Sequence, residues 1–208
     1  MARMAPTEHA IENFDQDLVR LEELADALEE YILGDETYRT LLLPRTHGYE
    51  RTTMSGGQLL SLMNYLLRAR AELTAEQQTR LDGITVKVEQ TIDELRTPFQ
   101  QHLVREAHSH LDRLHWFLDS CQDDAEQCKR DFPSEIQNRQ RLEEMRQVFG
   151  ENLPDDIAAD LAQVDRRIRA MGESGDFVWP QRSKAFYPTQ PYWYLYITPA
   201  VDRNRQPG

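Results

Sequence analysis

The sequence predicts an all-α protein: an antiparallel bundle of about five to seven helices around one long central helix, followed by an aromatic, proline-rich C-terminal extension. Apolar residues recur at steps of three and four through most of residues 11–172, the spacing that keeps side chains on one face of a helix. The longest such stretch, residues 97–132, would extend about 50 Å. After Gly172 this spacing ends, and five of the ten prolines and eight of the 18 aromatic residues follow. We therefore predict a bundle domain over residues 1–172 and an extension over residues 173–208, packed on the bundle or on a partner.

The central helix has a clear start signal. Thr97 is a suitable N-cap, and Pro98 suits the first helical position. Pro133 and Ser134 should end this helix and begin the next one. The apolar stripe of the central helix comprises Phe99, Leu103, Ala107, Leu111, Leu114, Leu118, Cys121, Ala125, Cys128 and Phe132. Such a long stripe requires several partner helices.

The rest of the bundle supplies those partners. Each further segment has apolar residues at helical spacing, bounded in most cases by a capping residue or a glycine. Thr74 and Gln77, for example, fit a capping box. The predicted partner helices cover residues 7–33, 58–73, 74–95, 134–149 and 154–171.

Cys121 and Cys128 are the two cysteines of the sequence. On a continuous helix they lie two turns apart, about 10 Å. A disulfide tolerates a Cα separation of only about 7 Å. We therefore expect two reduced, small core residues in a reducing compartment.

Residues 35–53 interrupt the helical spacing. Asp35 could cap a short helix that ends near Leu43, because Pro44 disfavours helical geometry in the residue before it. The remainder of the segment has no periodicity and collects arginines in an otherwise acidic chain. One interpretation is a structural connector whose arginines pair with the acidic faces of the bundle.

The other interpretation of this segment is a site for a small anion or a phosphorylated ligand. Ser55 precedes Gly56 and Gly57 at the start of an apolar helix, and backbone amides at a helix N-terminus can bind an anion. No GxxxxGK[ST] or GxGxxG motif is present, so a nucleotide-binding loop is not supported. The candidate ligand-binding residues are Arg39, Arg45, His47, Tyr49, Arg51 and Ser55.

A metal site is conceivable on the central helix. His102, Glu106 and His110 follow one another at intervals of four residues, along the edge of the apolar stripe. They could contribute ligands to a divalent metal between helices, as carboxylate sites in four-helix bundles do. The paired Glu-x-x-His motifs of such sites and the HExxH motif are absent. The alternative is a histidine at the edge of the core that is bonded to Glu106 or to a backbone carbonyl.

Aromatic residues mark the candidate interaction surfaces. Trp116 lies about 160° from the centre of the stripe, on the face that a simple bundle leaves in water. The extension could cover it, as could another helix or a second subunit. Within the extension, residues 192–198 have a strand-like alternation and could form a short β-hairpin with residues 177–179 or lie flat across helices. The candidate interaction residues are Trp116, Trp179, Tyr192, Trp193, Tyr194 and Tyr196.

The net charge of the chain disfavours some classes of function. Thirty-six acidic residues against 24 basic ones give a net charge of −12, which opposes binding to nucleic acid and to anionic membranes. The sequence has no run of 18 apolar residues and its N-terminus lacks the apolar stretch of a signal peptide, so we expect a cytoplasmic protein. Neither a nucleophile elbow nor a CxxC motif is present, which favours a non-enzyme without deciding the question, and the one cofactor to consider is a divalent metal.

The leading functional prediction is a helical protein–protein interaction, assembly or regulatory protein. It would use its acidic faces and aromatic C-terminal segment to bind a protein partner or a second copy of itself. The alternative is a small-anion or metal-dependent enzyme. Its site would lie between the Arg39–Gly57 connector and the edge formed by His102, Glu106 and His110.

Overall fold

The computed structural model of the protein describes residues 14–45 and 48–200. Most of these residues are helical, which confirms the predicted fold class. The α-helices are α1 (Phe14–Asp26), α2 (Leu28–Leu33), α3 (Gly56–Arg68), α4 (Ala75–Glu94), α5 (Arg96–Ser120), α6 (Ala125–Phe149) and α7 (Asp155–Met171). The strands are β1 (Arg39–Arg45), β2 (Gly48–Met54), β3 (Gly172–Ser174) and β4 (Ile197–Pro199).

The chain forms two compact units. The described residues of the N-terminal unit are 14–45, 48–107 and 144–150, and those of the C-terminal unit are 108–143 and 151–200. The division falls inside α5 and α6, so each of these helices contributes to both units.

The core of the N-terminal unit is helical. α1 packs against both α3 and α4. Leu18, Leu21 and Leu24 of α1 are fully buried, as the three- and four-residue spacing predicts. The predicted capping box of α4 is confirmed: Gln77 N donates to Thr74 Oγ1, and Thr74 N donates to Gln77 Oε1.

The first predicted helix is interrupted at Ala27, where α1 gives way to α2. The interruption is slight, because Ala27 N still donates to the Glu23 carbonyl and Tyr31 N to the Ala27 carbonyl. The proposed N-cap of this helix, Thr7, lies outside the described residues.

The predicted short helix between Asp35 and Leu43 is wrong. The segment forms an antiparallel hairpin of β1 and β2, in which Leu41 lies opposite Thr52 and Leu42 opposite Arg51. Three successive leucines satisfy a helical and a strand pattern equally, and the threonines of the segment favour the strand. The alternation of strand side chains then separates an inner face from an outer one. Leu43, Thr52 and Met54 of the inner face are buried.

The predicted helix over residues 97–132 is also wrong, because α5 ends at Ser120 and α6 begins at Ala125. Asp124 caps the second helix by accepting a hydrogen bond from Gln127 N at 2.9 Å. α6 then continues through Pro133, where a helix end was predicted. Two 25-residue helices joined by a short turn replace the single central helix.

This turn overturns the prediction of two reduced cysteines. Cys121 and Cys128 form a disulfide with a Cα–Cα distance of 4.8 Å. The spacing of two helical turns does not apply, because the chain reverses direction between the two residues. The argument for a reducing compartment that rested on their separation therefore fails.

The C-terminal extension packs on α7 within the C-terminal unit. β3 pairs with β4, so that Glu173 lies opposite Thr198. Of the predicted pairing with residues 177–179, a backbone hydrogen bond from Val178 N to the Leu195 carbonyl is present at 2.9 Å, but most of residues 192–198 form a 3-10 turn (Trp193–Tyr196) instead of a strand. No helix within residues 14–45 and 48–200 has the length and apolar character required to cross a bilayer.

Candidate functional site

The most ordered polar arrangement is the Glu106 cluster, defined as Tyr31, Ser55, Gly57, His102 and Glu106. All five residues belong to the N-terminal unit and are buried. α5 contributes His102 and Glu106, and α2 contributes Tyr31. Ser55, which the sequence placed directly before this helix, is the N-cap of α3, and its side chain accepts a hydrogen bond from Gln58 N.

Glu106 places its carboxylate at the N-terminus of α3. Ser55 Oγ donates to Glu106 Oε1 at 2.7 Å, and Gly57 N donates to Glu106 Oε2 at 2.9 Å. A helix N-terminus favours a negative charge because its first amides lack partners within the helix. The position where the sequence predicted a bound anion therefore holds a carboxylate of the protein itself.

The two glycines at the start of α3 allow this close approach. A Cβ atom at Gly57 would overlap Met145 Cε and lie 2.7 Å from Glu106 Oε1. At Gly56 a Cβ atom would lie 2.5 Å from Leu103 Cδ2. The glycines thus act by their lack of a side chain, since α3 could not otherwise pack so tightly on α5.

Tyr31 of the Glu106 cluster also contacts the start of α3. Its hydroxyl accepts a hydrogen bond from Gly56 N at 3.3 Å and donates one to the Thr37 carbonyl at 3.1 Å. Burial and the nearby Glu106 carboxylate raise the pKa of Tyr31 well above its ordinary value. The phenol therefore stays protonated and acts as a structural donor.

His102 is a buried, neutral histidine. Its Nε2 lies 3.0 Å from the carbonyl oxygen of Gly34, which follows α2. A carbonyl only accepts, so Nε2 carries the proton in this pair. Burial lowers the pKa of His102, and the charge of Arg105 lowers it further. The ring also packs on Tyr31, with centroids 4.7 Å apart.

The three candidate metal ligands have separate partners. His102 binds Gly34, Glu106 binds the start of α3, and the Nδ1 atom of His110 lies 2.8 Å from Asn138 Oδ1. Among the described residues, no group of three or more His, Cys, Asp or Glu side chains has the arrangement of a metal site. The contact of His102 with a backbone carbonyl is of the kind that the alternative interpretation described, whereas His110 contacts a side-chain amide.

The candidate ligand-binding residues of the connector whose side chains the structure describes lie in different surroundings. Arg39 donates to Glu30 Oε1 at 2.5 Å, as expected of a connector arginine paired with an acidic helix. Arg45 ends β1, whereas Ser55 is buried at the start of α3. His47 lies outside the described residues. Tyr49 and Arg51 are exposed on the outer face of the hairpin.

The aromatic residues of the extension are mostly used for packing within the chain. Tyr192 and Tyr194 are buried, and Trp179 Nε1 donates to the Pro133 carbonyl at 2.8 Å. The Tyr196 hydroxyl donates to the Tyr187 carbonyl at 2.7 Å. The guanidinium of Arg169 lies 3.4 Å from the ring centroid of Trp193. Packing in cis therefore accounts for the candidate interaction residues of the extension.

Arg139 is a structural residue that the sequence analysis missed. It is almost fully buried, and its Nε donates to Asp165 Oδ1 at 2.6 Å. Nη1 donates to Glu143 Oε2 at 3.1 Å, and the guanidinium lies 4.5 Å from the centroid of the Tyr194 ring. The one available signal was the four-residue spacing of Arg139 and Glu143 on a helix.

Trp116 differs from these aromatic residues because 67% of its surface is exposed. Asp112 lies one turn before it on α5 and Asp119 one turn after it, and both are exposed. Asp119 accepts from Arg167 Nη2 at 2.5 Å. Asp112, in contrast, forms no ion pair with a described residue. We call Asp112, Trp116 and Asp119 the Trp116 face.

The comparisons with known proteins give no match. Neither a family model, nor a curated protein, nor a solved structure matches this sequence.

Proposed function

We propose that this protein is a protein–protein interaction or assembly protein. The single observation that carries the proposal is the exposure of Trp116 on a helix whose other aromatic residues, Phe99 and Phe117, are buried. A tryptophan left in water costs hydrophobic free energy, and tryptophan is enriched among the residues that dominate protein interfaces. The exposed ring therefore favours a binding role.

The proposed binding surface does not include the C-terminal extension, because aromatic side chains of the extension pack within the chain. The sequence favoured the aromatic C-terminal segment as the binding element, but Tyr192 and Tyr194 are buried within the chain. The most exposed large apolar side chains among the described residues include Trp116 and, on the outer face of the hairpin, Tyr49 and Leu42. We place the interaction there.

The enzyme alternative has less support. Glu106 is the best-placed carboxylate for acid–base chemistry, but it is fully buried and bonded to Ser55 and Gly57. A role in chemistry would compete with a role in holding α3 against α5. The hydrogen bonds of the cluster are those of a structural clamp.

A capture experiment tests the proposed function. The immobilised wild-type protein, Trp116→Ala and Val86→Ala would be incubated with extract of the source cells, and the retained chains quantified by mass spectrometry. Val86 is the matched control because it is an apolar helix residue that is 51% exposed. We expect at least one chain, another protein or the protein itself, to bind wild type and Val86→Ala equally and Trp116→Ala at least about tenfold less. Equal retention by all three proteins would contradict the proposal.

A further inference from the structure

The outer face of the hairpin is the second exposed apolar surface. It consists of side chains that alternate outward along both strands: Thr40, Leu42, Tyr49, Arg51 and Thr53. Tyr49 is 76% exposed and Leu42 is 58% exposed. Leu42 lies directly opposite Arg51, and Tyr49 precedes Arg51 by two residues on the same side. We call these five residues the hairpin face.

The opposite side of the hairpin holds this face in place. Met54 is fully buried, and Arg20 Nη2 donates to Thr52 Oγ1 at 2.9 Å. The ion pair of Arg39 with Glu30 fixes the first residue of β1. A surface ordered before binding loses less conformational entropy when it binds. The hairpin face is therefore suited to recognition.

The hairpin carries charge opposite to that of the rest of the chain. Residues 39–54 contain three arginines and one glutamate, although the whole chain has a net charge of −12. Arg51 is exposed and forms no ion pair with a residue in the described ranges. An acidic surface with an exposed aromatic ring would complement the hairpin face.

The Trp116 face has these properties. The Asp112 carboxylate, which lacks an ion-pair partner among residues 14–45 and 48–200, lies one helical turn from the Trp116 ring. A guanidinium can stack on an indole ring and bind a neighbouring carboxylate at the same time. Within the chain, the guanidinium of Arg169 already stacks on the Trp193 ring, 3.4 Å from the ring centroid.

We infer that the hairpin face of one copy binds the Trp116 face of a second copy. Arg51 of the first copy stacks on Trp116 of the second and pairs with its Asp112, while Leu42 and Tyr49 cover the remaining edge of the indole. This inference rests on the proposed interaction function and names the partner as the same chain. The charges of the two faces favour this occupant.

The contact is heterologous because its two sides are different surfaces. Each bound pair leaves one hairpin face and one Trp116 face unused, so association continues into a ring or an open chain. Each face contains only a few side chains, which places the contact below about 1,200 Å² and in the class of weak, reversible interfaces. We expect an equilibrium between monomers and larger species.

Sedimentation velocity of purified full-length protein tests the inference. The wild type is expected to shift to larger species between about 10 and 500 µM, the range in which weak interfaces associate. Trp116→Ala retains the hairpin face, and Arg51→Glu retains the Trp116 face. Each variant alone should remain monomeric, because one side of every contact is defective. Val86→Ala should associate like the wild type.

The mixture of the two variants is the decisive sample. Trp116→Ala can supply a hairpin face to Arg51→Glu, so an equimolar mixture should form a one-to-one dimer and nothing larger. Circular dichroism and thermal unfolding would show that both variants fold, and Tyr49→Ser provides a second variant of the hairpin face. A monomeric wild type at all concentrations, or a mixture that stays monomeric, would overturn the inference. Capture of a different protein through Trp116 would still support the proposed function in that case.

Discussion

The Glu106 carboxylate lies 2.7 Å from the hydroxyl of Ser55, at the N-terminus of α3 and 51 positions away in sequence. One carboxylate thereby satisfies the capping serine and the backbone amide of Gly57, and it joins two helices in the buried part of the N-terminal unit. Charge at a helix N-terminus and hydrogen bonding to a charged acceptor are both stabilising. We therefore regard Glu106 as a main determinant of stability.

Glu106→Gln keeps the shape of the side chain and removes its charge. We expect it to lower the free energy of unfolding by about 1–3 kcal/mol, because the amide group cannot serve as two acceptors for Ser55 and Gly57. Urea denaturation measures the change. Glu89→Gln, on the exposed side of α4, is the control and should lie within about 0.5 kcal/mol of the wild type. Equal effects of the two substitutions would contradict the assigned role.

Two glycine substitutions should change the free energy of unfolding in opposite directions. Gly57→Ala introduces a methyl group that overlaps Met145 and approaches Glu106, and it should destabilise the protein by about 1–3 kcal/mol. Gly83→Ala, within α4, adds a methyl group with no atom inside 4 Å and should stabilise it by about 0.5–1 kcal/mol. Thermal and urea unfolding of both variants provide the comparison. A neutral Gly57→Ala would show that α3 and α5 have room to separate.

Reduction of the disulfide should weaken the protein. Cys121 and Cys128 close a loop of about eight residues, and such a constraint on the unfolded chain contributes about 2 kcal/mol. We expect urea unfolding to shift to lower concentration when a phosphine reductant is added. A Cys121→Ser, Cys128→Ser double variant should not respond to reductant. Two titratable thiols in the untreated folded protein would refute the bond.

His102 should make stability dependent on pH. Burial lowers its pKa in the folded state, so below about pH 6.5 the unfolded chain binds a proton that the folded chain does not. Stability from this residue is therefore complete above the unfolded pKa and is lost as the pH falls below it, by at most about 1.4 kcal/mol per pH unit. Urea unfolding of wild type and His102→Asn between pH 8 and pH 5 isolates this contribution. If the stability of wild type and of His102→Asn changed with pH in the same way, a contribution from His102 would be excluded.

The helices were predictable because burial of one face imposes a spacing on the sequence. The same spacing carried the prediction past Ser120, since Cys121, Ala125 and Cys128 keep the periodicity through the turn. Asp124, which caps α6, was the signal that favoured a break. The hairpin was missed because successive leucines fit a helix as well as a strand, and Gly48, with φ of 123°, was the best indication of a tight connection.

The site was predictable only where its interactions are local. The sequence placed Ser55 directly before the helix that begins with Gly56 and Gly57, and the exposed side of Trp116 followed from its angle on the helix. The partner of Ser55 could not be inferred, because Glu106 is distant in sequence and any of 36 acidic residues could have occupied that position. Arg139 with Asp165 is the same kind of long-range pair.

Because α5 and α6 each pass through both units, neither unit corresponds to one uninterrupted stretch of the gene. Neither a single proteolytic cleavage nor a single truncation can therefore produce one complete unit. A fragment ending near residue 107 would lack residues 144–150, the end of α6, which belong to the N-terminal unit. A truncation experiment would therefore disrupt both units at once. Single substitutions on the surface are the appropriate way to assign a function to one part of the protein.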